Sequence, residues 1–165
     1  MNGDALTRGS IRVALALCAA ALVVLPWVAK GDTSSARSRF VRACWVTGWL
    51  FYVAHVALAF HYFHDWSHAE AIHHVEERSG FGPGLFVSYL FTLLWTGDVV
   101  WWAISPESHA RRPRWVALLL YGYFTFMAFN ATVIYETGAI RVAGIVATAL
   151  LVGSLGLRWY VKARG

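Results

Sequence analysis

The chain has 165 residues, of which 58% are hydrophobic and only 14% charged, where a soluble domain carries about 25% charged residues. With a mean hydropathy of +0.51 and long continuous apolar runs, both a soluble globule and a membrane barrel of short alternating strands are excluded. The net charge of +5 would suit nucleic acid, but its distribution along the chain suits a membrane better.

A spanning helix needs about 20 mostly apolar residues. Five segments meet that length: 11–29, 43–63, 84–104, 114–136 and 139–161. They predict an all-α integral membrane bundle of five transmembrane helices, forming one domain over 1–165. The first segment follows Arg8 and Arg12 and could be read as a cleaved signal. Bulky Trp27 stands where a cleavage site wants a small residue, so the segment is read as a span. Cys18 and Cys44 are assigned to opposite membrane faces and to packing rather than to a disulfide.

The second span carries His55 at mid-depth and runs into "FHYFHDWSHAEAIHHVEE", Phe60 to Glu77, with five of the seven histidines. If that helix continues, His61, His64, Asp65 and His68 share one face about 100° wide. Imidazoles at i,i+3 or i,i+4 with a carboxylate are the donor set of a zinc, iron or copper site. His61 and His68 are roughly 10.5 Å apart in rise, so they cannot serve one ion from a straight helix. His73, His74, Glu76, Glu77 and Glu136 are the expected additional ligands, and Glu70, Glu76 or Glu77 the candidate bases. The competing expectation is a solvated interfacial face with no metal.

After the glycine-rich "RSGFGPG" comes the third span, with Asp98 inside it. An ionisable group at that depth is costly and is expected to face the bundle. Gly84, Ser88, Trp95 and Trp102 share its face, and Thr47 is one expected hydrogen-bond partner. "SPESHARRPR" is read as a break at Pro106 and a new start near Pro113. The fourth span holds Asn130, expected to bond across to another helix; its "NAT" lies within the span and is no glycosylation site. His55 and Met127 of the fourth span fall at similar depth, so a His/Met haem is conceivable but disfavoured. The tight "ETG" turn makes the last two spans an antiparallel hairpin.

The loops fix an expected orientation. Lys30, Arg37, Arg39, Arg42, Arg111, Arg112, Arg114, Arg158, Lys162 and Arg164 lie on one side, and Arg8, Arg12, Arg78 and Arg141 on the other. Basic residues are retained in the cytoplasm. The N-terminus is therefore expected outside, the C-terminus inside and the histidines at the outer face, in a multi-pass protein of a cell inner membrane. Trp45, Trp49, Trp101, Trp102 and Trp115 are expected as anchors at the inner surface. The lipid bilayer is the expected partner, with other membrane subunits a further candidate and nucleic acid excluded. No phosphate-binding glycine loop, nucleophile elbow or CxxC pair is present.

"HDWSHAEA", "GPGLFVSYLF", "WTGDVVWW", "RPRW" and "FNATVIYE" resemble an uncharacterised group of small bacterial polytopic membrane proteins. The resemblance implies topology and no activity, and it points to His64, Trp66, His68, Asp98 and Asn130. Two functional classes remain open on the sequence. One is a metal-dependent oxidoreductase or hydrolase acting on a lipid-like substrate at the outer face. The other is a non-catalytic protein: an accessory subunit, or a small proton or cation carrier using Asp98 and His55.

Overall fold

The computed structural model describes residues 3–164, apart from the side chain of Arg78. Every regular element among them is helical: α1 (Gly3–Val24), α2 (Ala36–Phe63), α3 (His68–Ser79), α4 (Gly84–Ile104), α5 (Pro106–Ala110), α6 (Arg114–Phe129) and α7 (Gly138–Arg164). Five of them, counting the turns that extend α1 and α6, are long and apolar enough to cross a membrane. They alternate in direction, so one end of the bundle carries α3 and the other carries α5.

The helix limits follow local chemistry. α1 begins eight residues earlier than its apolar run, and its start meets the end of α2. A Cβ on Gly3 would stand 2.6 Å from the Tyr62 ring. Pro26 then tightens the chain into the 3-10 turn Leu25–Trp27, because proline removes a helical donor. α2 also starts early, at Ala36, where Ser35 caps it by accepting from the Ser38 amide at 3.1 Å. That cap satisfies one of the orphan donors of a helix start. Gly48 lets α1 and α2 meet closely, since a Cβ there would be 3.3 Å from Leu17 and 3.2 Å from Trp95.

The largest departure from expectation is at residues 64–67. α2 stops at Phe63, and the backbone turns left-handed at Asp65 (φ 40°) and Trp66 (φ 60°). Ser67 then opens α3 by accepting from the Glu70 amide, and Gly80 closes it in the left-handed region at φ 72°. The expected common face of His61, His64, Asp65 and His68 therefore does not exist. His61 ends one helix and His68 begins another. The amphipathic α3 lies against the start of α4, with Ile72 and Val75 close to Gly82 and Gly84.

The fourth span is not uniformly α-helical. Asn130–Ile134 forms a π-turn, and the Asn130 amide donates to its own helix at Phe126 O, 2.8 Å away. Among the described residues the expected cross-helix bond from Asn130 is absent: its side chain instead shares the Phe126 carbonyl with the Asn130 backbone amide. α7 docks on this turn through Gly144, where a Cβ would lie 2.7 Å from Thr132 Cβ. Further along, Trp27 Nε1 donates to Ser154 Oγ (2.8 Å), which donates to Val23 O (2.7 Å).

The core is aromatic. Trp45, Trp95 and Phe124 are fully buried, with ring centroids 4.8–5.3 Å apart, and Tyr52 and Phe91 complete the layer. Trp45 and Trp102, expected at the membrane surface, are core residues, whereas Trp115 is 64% exposed. Cys18 and Cys44 are buried and free. By position along α1 and α2 both lie nearer the α5 end, not at opposite faces.

Candidate functional site

At the α3 end, α1, α2, α3, the turn after α6 and the start of α7 line an open chamber of about 350 Å³ whose walls include Asp4, Arg8, Arg12, His55, His64, His74 and Glu136. A second cavity of about 290 Å³ continues from it between α2, α4 and α6. It shares Ile11, Leu15, His55, Ala59 and His64 with the chamber and adds Tyr89 and Met127. A third, apolar slot of about 320 Å³ runs between α1, α6 and α7 from Arg12 to Leu22 and Leu151. It shares Arg12, Leu15 and Ile140 with the chamber as lining residues. The alanines of α1 and α7 (Ala16, Ala19, Ala143, Ala147) make this slot, because small side chains leave space between helix backbones.

The turn after α2 is what places His64 here. It swings the ring inward, where it is buried and meets His74 of α3 edge-on with centroids 5.3 Å apart. Its Nδ1 is buried and makes no aligned hydrogen bond. Burial lowers the pKa of His64, the neighbouring His74 lowers it further, and Glu70 and the Phe63 carbonyl oppose them weakly. The ring is thereby favoured in its neutral form. Deeper in the chamber His55 Nδ1 donates to Thr7 O at 2.9 Å. The early start of α1 supplies that acceptor.

The other expected ligands scatter. His61 is exposed against Tyr62 (4.7 Å between centroids). Asp65 is exposed on the turn. His68 Nδ1 bonds the Tyr89 hydroxyl at 2.6 Å. His73 faces outward and sits 3.5 Å from Glu77. Glu76 lies beside Gly82, and Glu70 follows the α3 cap. Only His64, His74 and Glu136 of the set line a common chamber. Among the described residues no three His, Cys, Asp or Glu side chains are arranged to hold a metal ion. A metal site thus lacks its donor geometry.

A second polar cluster, at the α5 end, centres on Asp98. As expected of a carboxyl at that depth, it faces the bundle and is 4% exposed. Its partner is His109 of α5, itself 2% exposed, with Nε2 3.0 Å from Asp98 Oδ1. Thr47 is exposed and plays no part. Arg112 Nη1 lies 2.9 Å from His109 Nδ1 and 3.3 Å from Nε2 and donates to the His109 carbonyl at 2.6 Å, and Arg112 also bonds the Tyr121 hydroxyl. The His109 ring thus lies between Asp98 and Arg112. Trp102 stacks on its ring at 4.4 Å.

Sequence reasoning passed over His109 and took Arg112 for a topology charge. The usable signal was an imidazole and a guanidinium three residues apart, eleven and fourteen residues after a buried Asp. His55 and Met127 line one cavity as their equal depth suggested, but His55 is committed to α1. Comparisons with protein families, with curated proteins and with solved structures found no match for this chain.

Proposed function

We propose that the protein is a non-catalytic multi-pass membrane protein that binds a lipid-like molecule. The apolar chain of that molecule lies in the slot between α1, α6 and α7, and its polar end lies in the histidine-lined chamber. The observation that carries this reading is the adjacency of slot and chamber, which share Arg12, Leu15 and Ile140 as walls, with, in the chamber wall, a buried His64 Nδ1 that makes no hydrogen bond among the described residues. A buried polar atom without a partner costs about 1–3 kcal/mol, and a ligand hydroxyl or carbonyl would relieve it. The slot runs along α1 from Arg12 to Leu22, a rise of roughly 15 Å. A single acyl or isoprenoid chain suits that length.

The chamber balances its charges, Arg8 and Arg12 against Asp4 and Glu136. Arg8 is already paired with Asp4 at 2.7 Å. A polar end with no net charge therefore fits better than a phosphate. The metal-dependent enzyme is the weaker reading, since its ligands do not converge among the described residues. A proton or cation carrier is opposed by the aromatic layer of Trp45, Tyr52, Phe91, Trp95 and Phe124 between His55 and Asp98. The proposed setting is an inner membrane, on the strength of the basic bias of one bundle end.

Solvent extraction and mass spectrometry of protein purified in mild detergent tests the reading. One amphipathic species should accompany the protein near one to one. Ala147→Trp, which fills the slot, and His64→Leu should each reduce it at least five-fold, while His73→Ala should leave it in place. Retention by all three variants, or stoichiometric zinc, iron or copper by elemental analysis, would overturn the proposal.

A further inference from the structure

The α5 end holds a separate recess of about 180 Å³ between the α1–α2 link, α5 and the start of α6. Its floor is Trp102 stacked on His109, whose ring lies against Asp98 and Arg112. The Gly31 amide bonds Ala110 O at 3.1 Å, which fixes the link carrying Lys30 beside α5. Gly31 makes that turn at φ 82°, where a side chain would be strained.

Three fixed cations, Lys30, Arg112 and Arg114, line the recess, with one carboxylate, Asp32. Two of the four are already committed. Asp32 Oδ1 accepts from the amides of Ser34 and Ser35 at 3.0 Å each, and the Ser35 hydroxyl first, then these amides, hold its carboxyl below the usual range. Arg112 is held against His109 and the Tyr121 hydroxyl. Lys30 and Arg114 make no ion pair among the described residues. Leu25, Val28 and Ala117 give the recess an apolar side. The recess thus presents three cations against one lining carboxylate beside an apolar wall, unlike the chamber at the other end, where two cations face two carboxylates.

We propose that this recess binds a phosphate-type anion through Lys30 and Arg114. Phosphate oxygens accept charge-assisted hydrogen bonds from both residue types. A phospholipid headgroup and a free phosphate share this chemistry, and the apolar wall receives the first carbons of the former. The proposal is independent of the ligand assigned to the histidine chamber.

The test uses full-length protein in nanodiscs of phosphatidylcholine, with or without one-tenth phosphatidic acid, and native mass spectrometry of the lipid retained. Phosphatidic acid should be retained over phosphatidylcholine, and Lys30→Gln/Arg114→Gln should lower that preference about ten-fold. Arg37→Gln/Arg42→Gln removes two exposed cations of the same region that do not line the recess, and it should leave the preference within two-fold. Titration of inorganic phosphate against detergent-solubilised protein separates the sources. Binding at sub-millimolar concentration that Lys30→Gln/Arg114→Gln abolishes assigns a soluble anion, and lipid preference without phosphate binding assigns a headgroup. Equal loss from both pairs of substitutions would mean diffuse surface attraction and overturn the proposal. So would the absence of both phosphatidic acid preference and phosphate binding.

Discussion

A carboxylate enclosed among apolar helices persists only where its charge is shared. Asp98 has one hydrogen bond, to His109, with Arg112 against the same ring. Its second oxygen makes no hydrogen bond among the described residues, so the contact with His109 is its one polar anchor. Removing one member of a buried ion pair strands the other, at about 3–5 kcal/mol. Asp98→Leu is therefore expected to lower the thermal midpoint of the detergent-solubilised protein strongly. Asp98→Asn keeps an acceptor for His109 Nε2–H and should lose about half as much or less. A Leu variant as stable as the parent chain would show that the cluster contributes no net stability. The sequence exposes Asp98 because its depth alone is unusual. It hides His109, since a histidine among "HARRPR" looks like one more loop charge. Only the single turn of α5 after Pro106 brings it back beneath α4.

Between α2 and α3, one short turn decides where the histidines go. The sequence contains its signature, Ser67 followed three residues later by Glu70, a combination that marks helix starts. The aromatic and histidine run before it obscures that signal by continuing the helical period. Hence the spans were legible and the site was not. Apolar length reports a membrane crossing regardless of cap detail, but a ligand set depends on every side-chain direction after the break. The same turn couples α3 to pH. His64 is buried and its pKa is lowered, first by burial and then by His74. A state with α3 undocked exposes His64 at its ordinary value of 6.5 and binds more protons there than the docked state. Docking is then fully favoured above pH 6.5 and weakens as pH falls from 6.5 toward the lowered value of the docked ring. Exchange of α3 backbone amides, followed by mass spectrometry at pH 7.5 and pH 5.5 and corrected for intrinsic rates, should show less protection at the lower pH. His64→Gln should remove most of that difference. Equal protection at both pH values in the parent chain would mean that His64 does not hold α3 in place.

For the whole molecule, the aromatic layer separates two ends of different character. The α3 end has a large, charge-balanced chamber, and the α5 end has a small cationic recess above a buried Asp–His–Arg bridge. The alternation of five spans collects ten of the fourteen basic residues at the α5 end. Four lie at the opposite end, with the side chain of Arg78 outside the described residues. Loop arginines and lysines resist transfer across the membrane, and their excess sets the orientation of short-loop proteins. The α5 end is therefore expected in the cytoplasm and the histidine chamber outside. A reporter fused after Gly165 should give the cytoplasmic signal, and one inserted at 79–82 the outer signal. Reversal of both signals would move the histidine chamber to the cytoplasm and the cationic recess to the outer leaflet. Arg111→Gln/Arg114→Gln reduces the bias from ten against four to eight against four and should leave the orientation intact. Removing Arg37, Arg39 and Arg42 as well leaves five against four. That variant should give a mixed population of reporters, because the two ends then carry nearly equal numbers of basic residues.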